Sequence, residues 1–281
     1  MAGKTCVLTG ATSGIGLAAA SELAARGARL VLVARSPARA DAALAAIRAR
    51  TPRADAEVVR GDLASLAEVR SAAARVLGVC PRIDVLFNNA GVVKLSREVT
   101  ADGYEATFAV NHLAYFLFTN LLLDRLRATP GARIVSTASD AHRFGGALDF
   151  GDLQSERRYR GLGVYGRSKL CNILWTRELA RRLAGSGVTA NCFHPGGVAT
   201  RLGQTDALWT QLVGRITQWI LRSPEKGAET GVWLATSPDV AGVSGRYFAD
   251  RREKQPAKYA QDDAAAKRLW EISEQLVARV A

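Results

Sequence analysis

The sequence predicts one α/β domain, in which a Rossmann-type, doubly wound parallel sheet of about seven strands carries helices on both faces. Three observations support this fold. Short β-rich runs alternate with longer Ala- and Leu-rich runs, the short runs are almost continuously apolar, and a glycine-rich turn follows the first of them. Strict alternation indicates βαβ units, and strands covered on both faces are apolar throughout. The 281 residues are enough for one such domain.

Each element is assigned from its residue pattern. Six apolar runs are predicted as strands: Thr5–Thr9, Leu30–Ala34, Glu57–Val59, Val85–Phe87, Arg133–Thr137 and Val188–Phe193. The runs between them have helical periodicity: Ile15–Ala25, Ala38–Arg50, Leu66–Val76, Tyr104–Arg127 and Tyr165–Ala184. A short seventh strand is expected at Arg246–Ala249 and a closing helix at Ala264–Val280. Ligands bind outside the carboxyl ends of such strands, so we expect the chemistry there.

The distribution of charge argues against nucleic-acid binding, although the net charge is +12 at pH 7. The arginines are scattered through Ala-rich helices with glutamates between them, and their local clusters lack interleaved aromatic residues. A solvated basic surface is therefore the preferred interpretation, and such a surface would also attract a polyanionic cofactor.

The sequence predicts neither a membrane span nor a secretory signal. The most apolar stretch, Leu113–Leu123, is shorter than a bilayer span, and the apolar run within Met1–Thr9 is too short for a signal peptide. The four cysteines and three histidines have no metal-binding or redox spacing. We therefore expect a cytoplasmic protein with reduced, buried thiols and no metal.

The turn after the first strand has the composition of a phosphate-binding loop. Its glycines permit a tight turn and close approach of the backbone, and the free N–H groups of the following helix attract a pyrophosphate. A merely structural turn is the less favoured alternative. The residues expected to contact a dinucleotide are Gly10, Thr12, Ser13, Gly14, Ile15 and Gly16.

The end of the second strand favours NADP(H) over NAD(H). NAD-binding folds place an acidic residue near this position to bind the ribose hydroxyls, whereas this chain has Arg35, with Ser36 and Arg39 close behind. A guanidinium can pair with a 2′-phosphate through charge-assisted hydrogen bonds. The alternative is that Arg35 is an ordinary exposed residue.

Two further strand ends are expected to contact the cofactor. Asp62 and Leu63 follow the third strand, where the Asp62 carboxylate could accept a hydrogen bond from the adenine amino group; N-capping of the next helix is the alternative. After the fourth strand come the small or polar residues Asn89, Ala90 and Gly91, at a point where the cofactor should pass.

The candidate catalytic residues are Tyr165, Lys169 and Ser139. Tyr165 and Lys169 are four residues apart on a predicted helix and therefore share one face. A nearby ammonium favours the phenolate, which makes Tyr165 a plausible proton donor and acceptor. Ser139 follows the fifth strand, where its hydroxyl could orient a substrate oxygen.

The joint pattern resembles the classical short-chain dehydrogenase/reductase family over nearly the whole chain, about Lys4–Val277. Further stretches, including Ser139–His142 and His194–Gly196, resemble its retinol-dehydrogenase-like branch. The resemblance implies that Tyr165 is the catalytic acid/base, that Lys169 lowers its pKa and holds the nicotinamide ribose, and that Ser139 orients the substrate.

The resemblance also assigns residues that spacing alone does not. It implies that Asn111 maintains a proton-relay water, although a buried structural amide is the alternative. It places four residues beside the nicotinamide, of which the last could instead cap a helix: Pro195, Gly196, Val198 and Thr200.

Two features separate this chain from the vertebrate retinol enzymes. We expect no counterpart of their N-terminal membrane anchor, which puts a retinoid substrate in doubt, and Ala138 replaces the first serine of their Ser-Ser pair. Residues 197–224 resemble a substrate lid, in which Trp209 and Trp219 accompany leucines and isoleucines at helical spacing. An apolar lid predicts a hydrophobic carbonyl or alcohol substrate; a helix packed on the core or on a partner is the alternative.

The preferred hypothesis is therefore an NADP(H)-dependent oxidoreductase. The family resemblance suggests a homodimer or homotetramer, assembled through Tyr104–Arg127 and Tyr165–Ala184. A catalytically idle NADP(H)-sensing or scaffold protein is the alternative, but it predicts loss of the Ser, Tyr and Lys set that this chain keeps. A sugar-nucleotide epimerase or dehydratase would need a larger C-terminal substrate domain.

Overall fold

Eight strands in the described part of the chain form one sheet of order β3-β2-β1-β4-β5-β6-β7-β8. The computed structural model describes residues 1–197 and 222–280. The strands, numbered along the chain, are Thr5–Thr9, Arg29–Ala34, Ala56–Arg60, Val85–Asn88, Arg133–Thr137, Thr189–Phe193, Tyr247–Ala249 and Arg252–Glu253. The first seven are parallel and β8 is antiparallel. The strand order reverses between β1 and β4, where a ligand crevice is expected.

Helices cover both faces of this sheet. They are α1 Gly14–Ala25, α2 Pro37–Arg50, α3 Leu66–Val79, α4 Ala106–Arg127, α5 Gly161–Arg182, α6 Pro224–Thr236 and α7 Asp263–Ala278. One apolar core lies between the sheet and α1, α2 and α6, and the other between the sheet and α3, α4, α5 and α7. The predicted α/β fold with helices on both faces is thus confirmed.

The structure corrects the sequence-based assignment at three places. It adds the two-residue strand β8, starts α5 at Gly161 rather than Tyr165, and adds α6. Glycine disfavours helix, so no helical signal marked the first turn of α5 in the sequence. The structure needs glycine at residue 161, because a Cβ there would lie 2.5 Å from the Lys94 carbonyl oxygen. Ser223 caps α6 ahead of Pro224, which is a start signal that the prediction missed.

Within the described residues, α4 alone is long and apolar enough to span a bilayer by length and composition. Of its most apolar window, 83% is buried inside the protein, because α3, α5 and α7 pack around it. The helix contains a π-helical turn at Ala109–Leu113, which carries Asn111. Such turns frequently occur at functional sites.

The C-terminal helix α7 packs against both α4 and α5. These are the two helices through which assembly was predicted. The His112 ring lies 2.8 Å from the Ser273 hydroxyl, and Phe116 stacks edge-on against Trp270. The Tyr104 hydroxyl donates to the Leu276 carbonyl at 2.6 Å. This chain therefore covers part of the predicted assembly surface with its own C-terminal helix. Oligomeric state stays a prediction.

Candidate active site

The predicted phosphate-binding turn brings the ends of β1 and β4 into close contact. Gly10 has φ +66°, and a Cβ there would lie 2.5 Å from the Ala90 Cα; a Cβ on Gly16 would lie 2.2 Å from the Gly10 carbonyl oxygen. Only glycine allows these approaches. Ser13 is the N-cap of α1, but its hydroxyl accepts no hydrogen bond from the first N–H groups of the helix. The turn is thus shaped for an anionic ligand.

Side-chain hydrogen bonds join three strand ends beside this turn. The Thr9 hydroxyl oxygen accepts from the Asn89 and Ala90 N–H groups at 3.0 and 3.2 Å. The Asn89 amide donates to the Gly10 carbonyl at 3.0 Å and accepts from the Thr137 hydroxyl at 3.2 Å. Asn89 and Ala90 therefore lie beside the glycine turn, and their predicted contact with the cofactor stays a prediction. Thr12 is half-buried, and Ile15, in the first turn of α1, is buried.

The adenosine end of the predicted site is more exposed. Arg35, directly after β2, has 68% of its side chain exposed, and its Nη1 lies 3.8 Å from the Asp62 carboxylate. The N-cap of α3 is Ser65, so the alternative role for Asp62 as helix cap is wrong. Asp62 instead accepts from the Ala64 N–H at 3.0 Å, and Leu63 is buried. The structure brings Arg35 and Asp62 together beside the ends of β2 and β3.

Asn111 is a buried link between the segment after β4 and helix α5. Its Oδ1 accepts from the Val92 N–H at 2.8 Å, while its Nδ2 donates to the Val92 carbonyl and the Ser168 hydroxyl, both at 3.0 Å. A Cβ on Gly91 would lie 3.4 Å from Asn111 Oδ1 and 3.6 Å from Lys169 Nζ. These contacts demonstrate a structural role for the amide, and its predicted water relay stays a prediction.

Tyr165 and Ser139 face each other across the end of β5. Ser139 is the N-cap of a 3-10 helix, Asp140–Arg143, and its hydroxyl oxygen accepts from the Ala141 N–H at 3.1 Å. Burial raises the pKa of Tyr165 to about 12, and a side-chain hydrogen bond with Ser139 acts in the opposite direction. Among the described groups, Ser139 is thus the one that favours the phenolate form of Tyr165.

Lys169 is buried beside the phenol, with 2% of its surface exposed. Its Nζ donates to the Thr137 carbonyl at 3.0 Å and lies 5.6 Å from the centre of the Tyr165 ring. Burial lowers the pKa of Lys169 to about 7. We expected the lysine to lower the pKa of the phenol, but among the protein's own groups burial dominates and raises it.

The residues expected to flank the nicotinamide follow β6. Gly196 has φ +86°, and a Cβ there would lie 2.6 Å from the Arg222 side chain. Pro195 precedes it at the end of the strand, on the same edge of the sheet as Ser139. Val198 and Thr200 lie outside the described residues, as do Trp209, Trp219 and most of the predicted lid.

Sequence reasoning missed two site residues, Tyr115 and Asn172. The fully buried Tyr115 donates to the Ala90 carbonyl at 2.6 Å, and Lys169 Nζ lies 5.9 Å from the centre of its ring. Asn172 donates to the same Thr137 carbonyl as Lys169, at 3.2 Å. A helical signal existed for both, because Tyr115 lies four residues after Asn111 and Asn172 three after Lys169.

Comparisons with known proteins identify the family. The family model described as short chain dehydrogenase matches residues 4–211. Retinol dehydrogenase 14 of Mus musculus is 44% identical over 99% of this chain and 86% of its own. The crystal structure of an uncharacterized protein from Mycobacterium Paratuberculosis has TM-score 0.78 and 34% identity, over 99% of this chain and 94% of that one.

A short chain dehydrogenase from Burkholderia cenocepacia J2315 in complex with NADP is also similar. It has TM-score 0.69 and 29% identity, over 88% of this chain and 96% of that one. The family membership makes the chain an NAD(P)-dependent oxidoreductase that acts on CH–OH or C=O groups of small molecules. The chain belongs to the short-chain dehydrogenase/reductase family, on its retinol-dehydrogenase-like branch.

Proposed function

We propose that the protein is an NADP(H)-dependent oxidoreductase that interconverts a hydrophobic ketone or aldehyde and the corresponding alcohol. The observation that carries this proposal is the cluster of Ser139, Tyr165 and Lys169 at the carboxyl edge of the sheet. The cluster lies across the crevice from the glycine turn, which Asn89 and Thr137 connect to it. An acid/base group thus lies beside the crevice expected to hold the cofactor.

The crevice fits a dinucleotide. Gly10 and Gly16 allow the tight turn that brings backbone N–H groups to the open start of α1, where a pyrophosphate would bind, and Gly91 lies beside Lys169, where the ribose would bind. When bound, the nicotinamide would supply or accept the hydride. The residues proposed to hold the cofactor are Gly10, Thr12, Ser13, Gly14, Ile15, Gly16, Arg35, Asp62, Leu63, Asn89, Ala90, Gly91, Tyr165, Lys169, Pro195, Gly196, Val198 and Thr200.

Tyr165 handles the proton in this proposal. In reduction, the phenol gives its proton to the substrate oxygen as the substrate carbon gains a hydride. In oxidation, the phenolate takes the hydroxyl proton as the hydride leaves the same carbon. Ser139 orients the oxygen and stabilises the phenolate, and the Lys169 ammonium stabilises it further while charged. Asn111 holds the backbone beside Lys169, where the relay water is proposed.

Arg35 supports a preference for NADP(H). Its guanidinium is mostly exposed at the end of β2, and the Asp62 carboxylate lies 3.8 Å from it. Ser36, which follows Arg35 directly, caps the next helix by accepting from the Arg39 backbone N–H at 3.4 Å, so a hydroxyl and a second arginine lie within four residues of Arg35. This arrangement can pair with a 2′-phosphate. The NADP complex of the Burkholderia relative agrees with this preference.

Apolar side chains near Tyr165 support a hydrophobic substrate. Leu162 lies three residues before Tyr165 on α5, so both share one helix face, and its side chain is 68% exposed. Leu95 is 62% exposed, and its Cα would lie 2.8 Å from a Cβ on Gly161, at the start of the same helix. Two leucines thus meet the solvent on the approach to the phenol.

The proposal is tested by NADPH consumption with a panel of bulky ketones, aldehydes and quinones. We expect Tyr165→Phe to lower kcat by about 10²- to 10⁴-fold, the range of general acid–base catalysis, while NADPH binding stays intact. Turnover at the wild-type rate in this variant would contradict the mechanism. A wild-type protein that binds NADPH but turns over none of the panel would instead support the idle sensor or scaffold.

We further propose that residues 1–281 work as one domain, which the continuous sheet from β3 to β8 supports. A cytoplasmic location and assembly as a homodimer or homotetramer stay predictions. Gel filtration with light scattering tests the assembly directly.

A further inference from the structure

The ring of His142 has both of its nitrogens occupied by backbone groups. His142 lies three residues after Ser139 and is fully buried. Its Nδ1 is 2.7 Å from the Ser139 carbonyl oxygen, and its Nε2 is 3.1 Å from the Ala257 amide nitrogen. Because a backbone N–H can only donate, Nε2 must accept. The ring is therefore neutral and carries its proton on Nδ1, which donates to Ser139.

Residues 247–259, which we name the C-terminal strap, surround this ring and its loop. The Tyr259 hydroxyl donates to the His142 carbonyl at 3.0 Å, and the Tyr247 ring packs edge-on against the imidazole at 5.5 Å. The Tyr247 hydroxyl donates to the Asp140 carboxylate at 2.9 Å, and Lys254 pairs with the same carboxylate. The strap thus contacts the loop directly after Ser139 at several points.

We propose that His142 is a positioning residue for Ser139, and that its neutral ring braces the Ser139 peptide against the strap. The inference rests on the proposed function, in which the Ser139 hydroxyl orients the substrate oxygen and stabilises the Tyr165 phenolate. The Ser139 carbonyl receives two bonds from His142, one from the backbone N–H at 3.2 Å and one from the ring. The second bond fixes the peptide plane, and through it the direction of the hydroxyl.

The charge state of the ring agrees with this role. Burial lowers the pKa of His142, so the ring stays neutral at physiological pH. The charged groups that act on it are Arg143, Asp140 and Lys254. Protonation would place an Nε2–H against the Ala257 N–H and break the brace from the strap side.

Two isosteric substitutions separate the two ends of the brace. In His142→Asn the short amide can still donate near the Nδ1 position, but it cannot reach Ala257. In His142→Gln the longer side chain can accept from Ala257 but loses the donor to Ser139. One hydrogen bond is worth about 1 kcal/mol, so we expect kcat to fall about fivefold or more in His142→Gln and less in His142→Asn. KM should change little in either variant.

Tyr259→Phe is the matched control. It removes the bond from the strap to the His142 carbonyl but leaves the ring in place. A merely structural strap would affect all three variants in proportion to their loss of Tm. Positioning predicts instead that kcat falls most in His142→Gln, where the donor to Ser139 is lost, whatever the order of the Tm values.

The pH profile gives a second readout. Ser139 lowers the pKa of Tyr165, so a misplaced hydroxyl should shift the pH of half-maximal alcohol oxidation upward in His142→Gln and not in Tyr259→Phe. An unshifted profile and wild-type kcat in His142→Gln, with Tyr165→Phe inactive, would overturn the inference and leave the proposed function standing. An active Tyr165→Phe would overturn the function itself.

The tautomer can be tested in the wild-type protein, which covers the case in which His142→Gln does not fold. Nitrogen-15 NMR of labelled histidine should show one ring with a protonated Nδ1 and an unprotonated Nε2 that does not titrate at neutral pH. A protonated Nε2 in the ring assigned to His142 by comparison with His142→Asn would exclude the bond to Ser139 and refute the proposal.

Discussion

Backbone packing holds the cofactor side of the crevice, whereas buried polar side chains hold its catalytic side. At the turn, Gly10 and Gly16 lie so close to neighbouring backbone that a Cβ has no room. At the other side, Asn111, His142 and Lys169 are buried and each donates to a backbone carbonyl. The first side should therefore be sensitive to added volume, and the second to a lost hydrogen bond or charge.

The largest effect should follow from one methyl group on the cofactor side. In Gly16→Ala the Cβ would lie 2.2 Å from the Gly10 carbonyl oxygen and 2.5 Å from the Asn89 amide nitrogen, so the turn must move. We expect NADPH affinity to fall by more than about 100-fold, since an overpacked site costs about 1–3 kcal/mol and the pyrophosphate contacts are lost as well. Fluorescence titration with NADPH measures the loss.

Gly78→Ala is the matched control, because Gly78 is also helical but has open space around its Cβ position. Alanine is a better helix former, so this variant should gain about 0.5–1 kcal/mol of stability and bind NADPH normally. Similar NADPH affinity in the two variants would show that volume is not limiting at the turn.

On the catalytic side, Lys169→Met keeps the volume and removes the charge and the donor. We expect kcat to fall by about 100-fold or more, because the phenolate loses its cation. The same change should relieve a folding cost: the pKa of Lys169 is about 7 in the folded protein and about 10.4 in an unfolded chain. Between these values the unfolded state binds more protons, so wild-type stability should rise with pH relative to the variant.

The measurement is the difference in the free energy of unfolding between wild type and Lys169→Met from pH 6 to 9, without added cofactor. This difference should be constant below about pH 7. Above pH 7 the free energy of unfolding of the wild type should rise relative to the variant by at most about 1.4 kcal/mol per pH unit. Other titrating groups, such as the buried cysteines, occur in both proteins and cancel. A difference that is flat up to pH 9 would mean that Lys169 stays charged in the folded state.

The same contrast explains what the sequence could predict. The glycine turn and the Tyr165 to Lys169 spacing are local patterns, so the sequence alone predicted the crevice and the candidate acid/base pair. The brace from His142 to Ala257 joins residues 115 positions apart, and no local pattern predicts that pairing. Helix α6 was missed partly because Gly231 interrupts it, where a Cβ would lie 2.5 Å from the Phe87 ring. Such contacts exist only once the chain has folded.

The smallest effect should come from Arg35, where neither backbone packing nor burial holds the side chain. Arg35→Ala removes an exposed guanidinium, and hydrogen bonds to charged groups are worth about 1.5–3 kcal/mol, so Kd for NADPH should rise about 10- to 100-fold. Kd for NADH, which lacks the 2′-phosphate, should hardly change.

Arg50→Ala, at the end of α2, is the matched control for lost positive charge. If Arg35→Ala weakened NADH binding as much as NADPH binding, Arg35 would be a general electrostatic contributor. The same would follow if the wild type bound NADH at least as tightly as NADPH. The adenosine end would then have no preference for the phosphorylated cofactor.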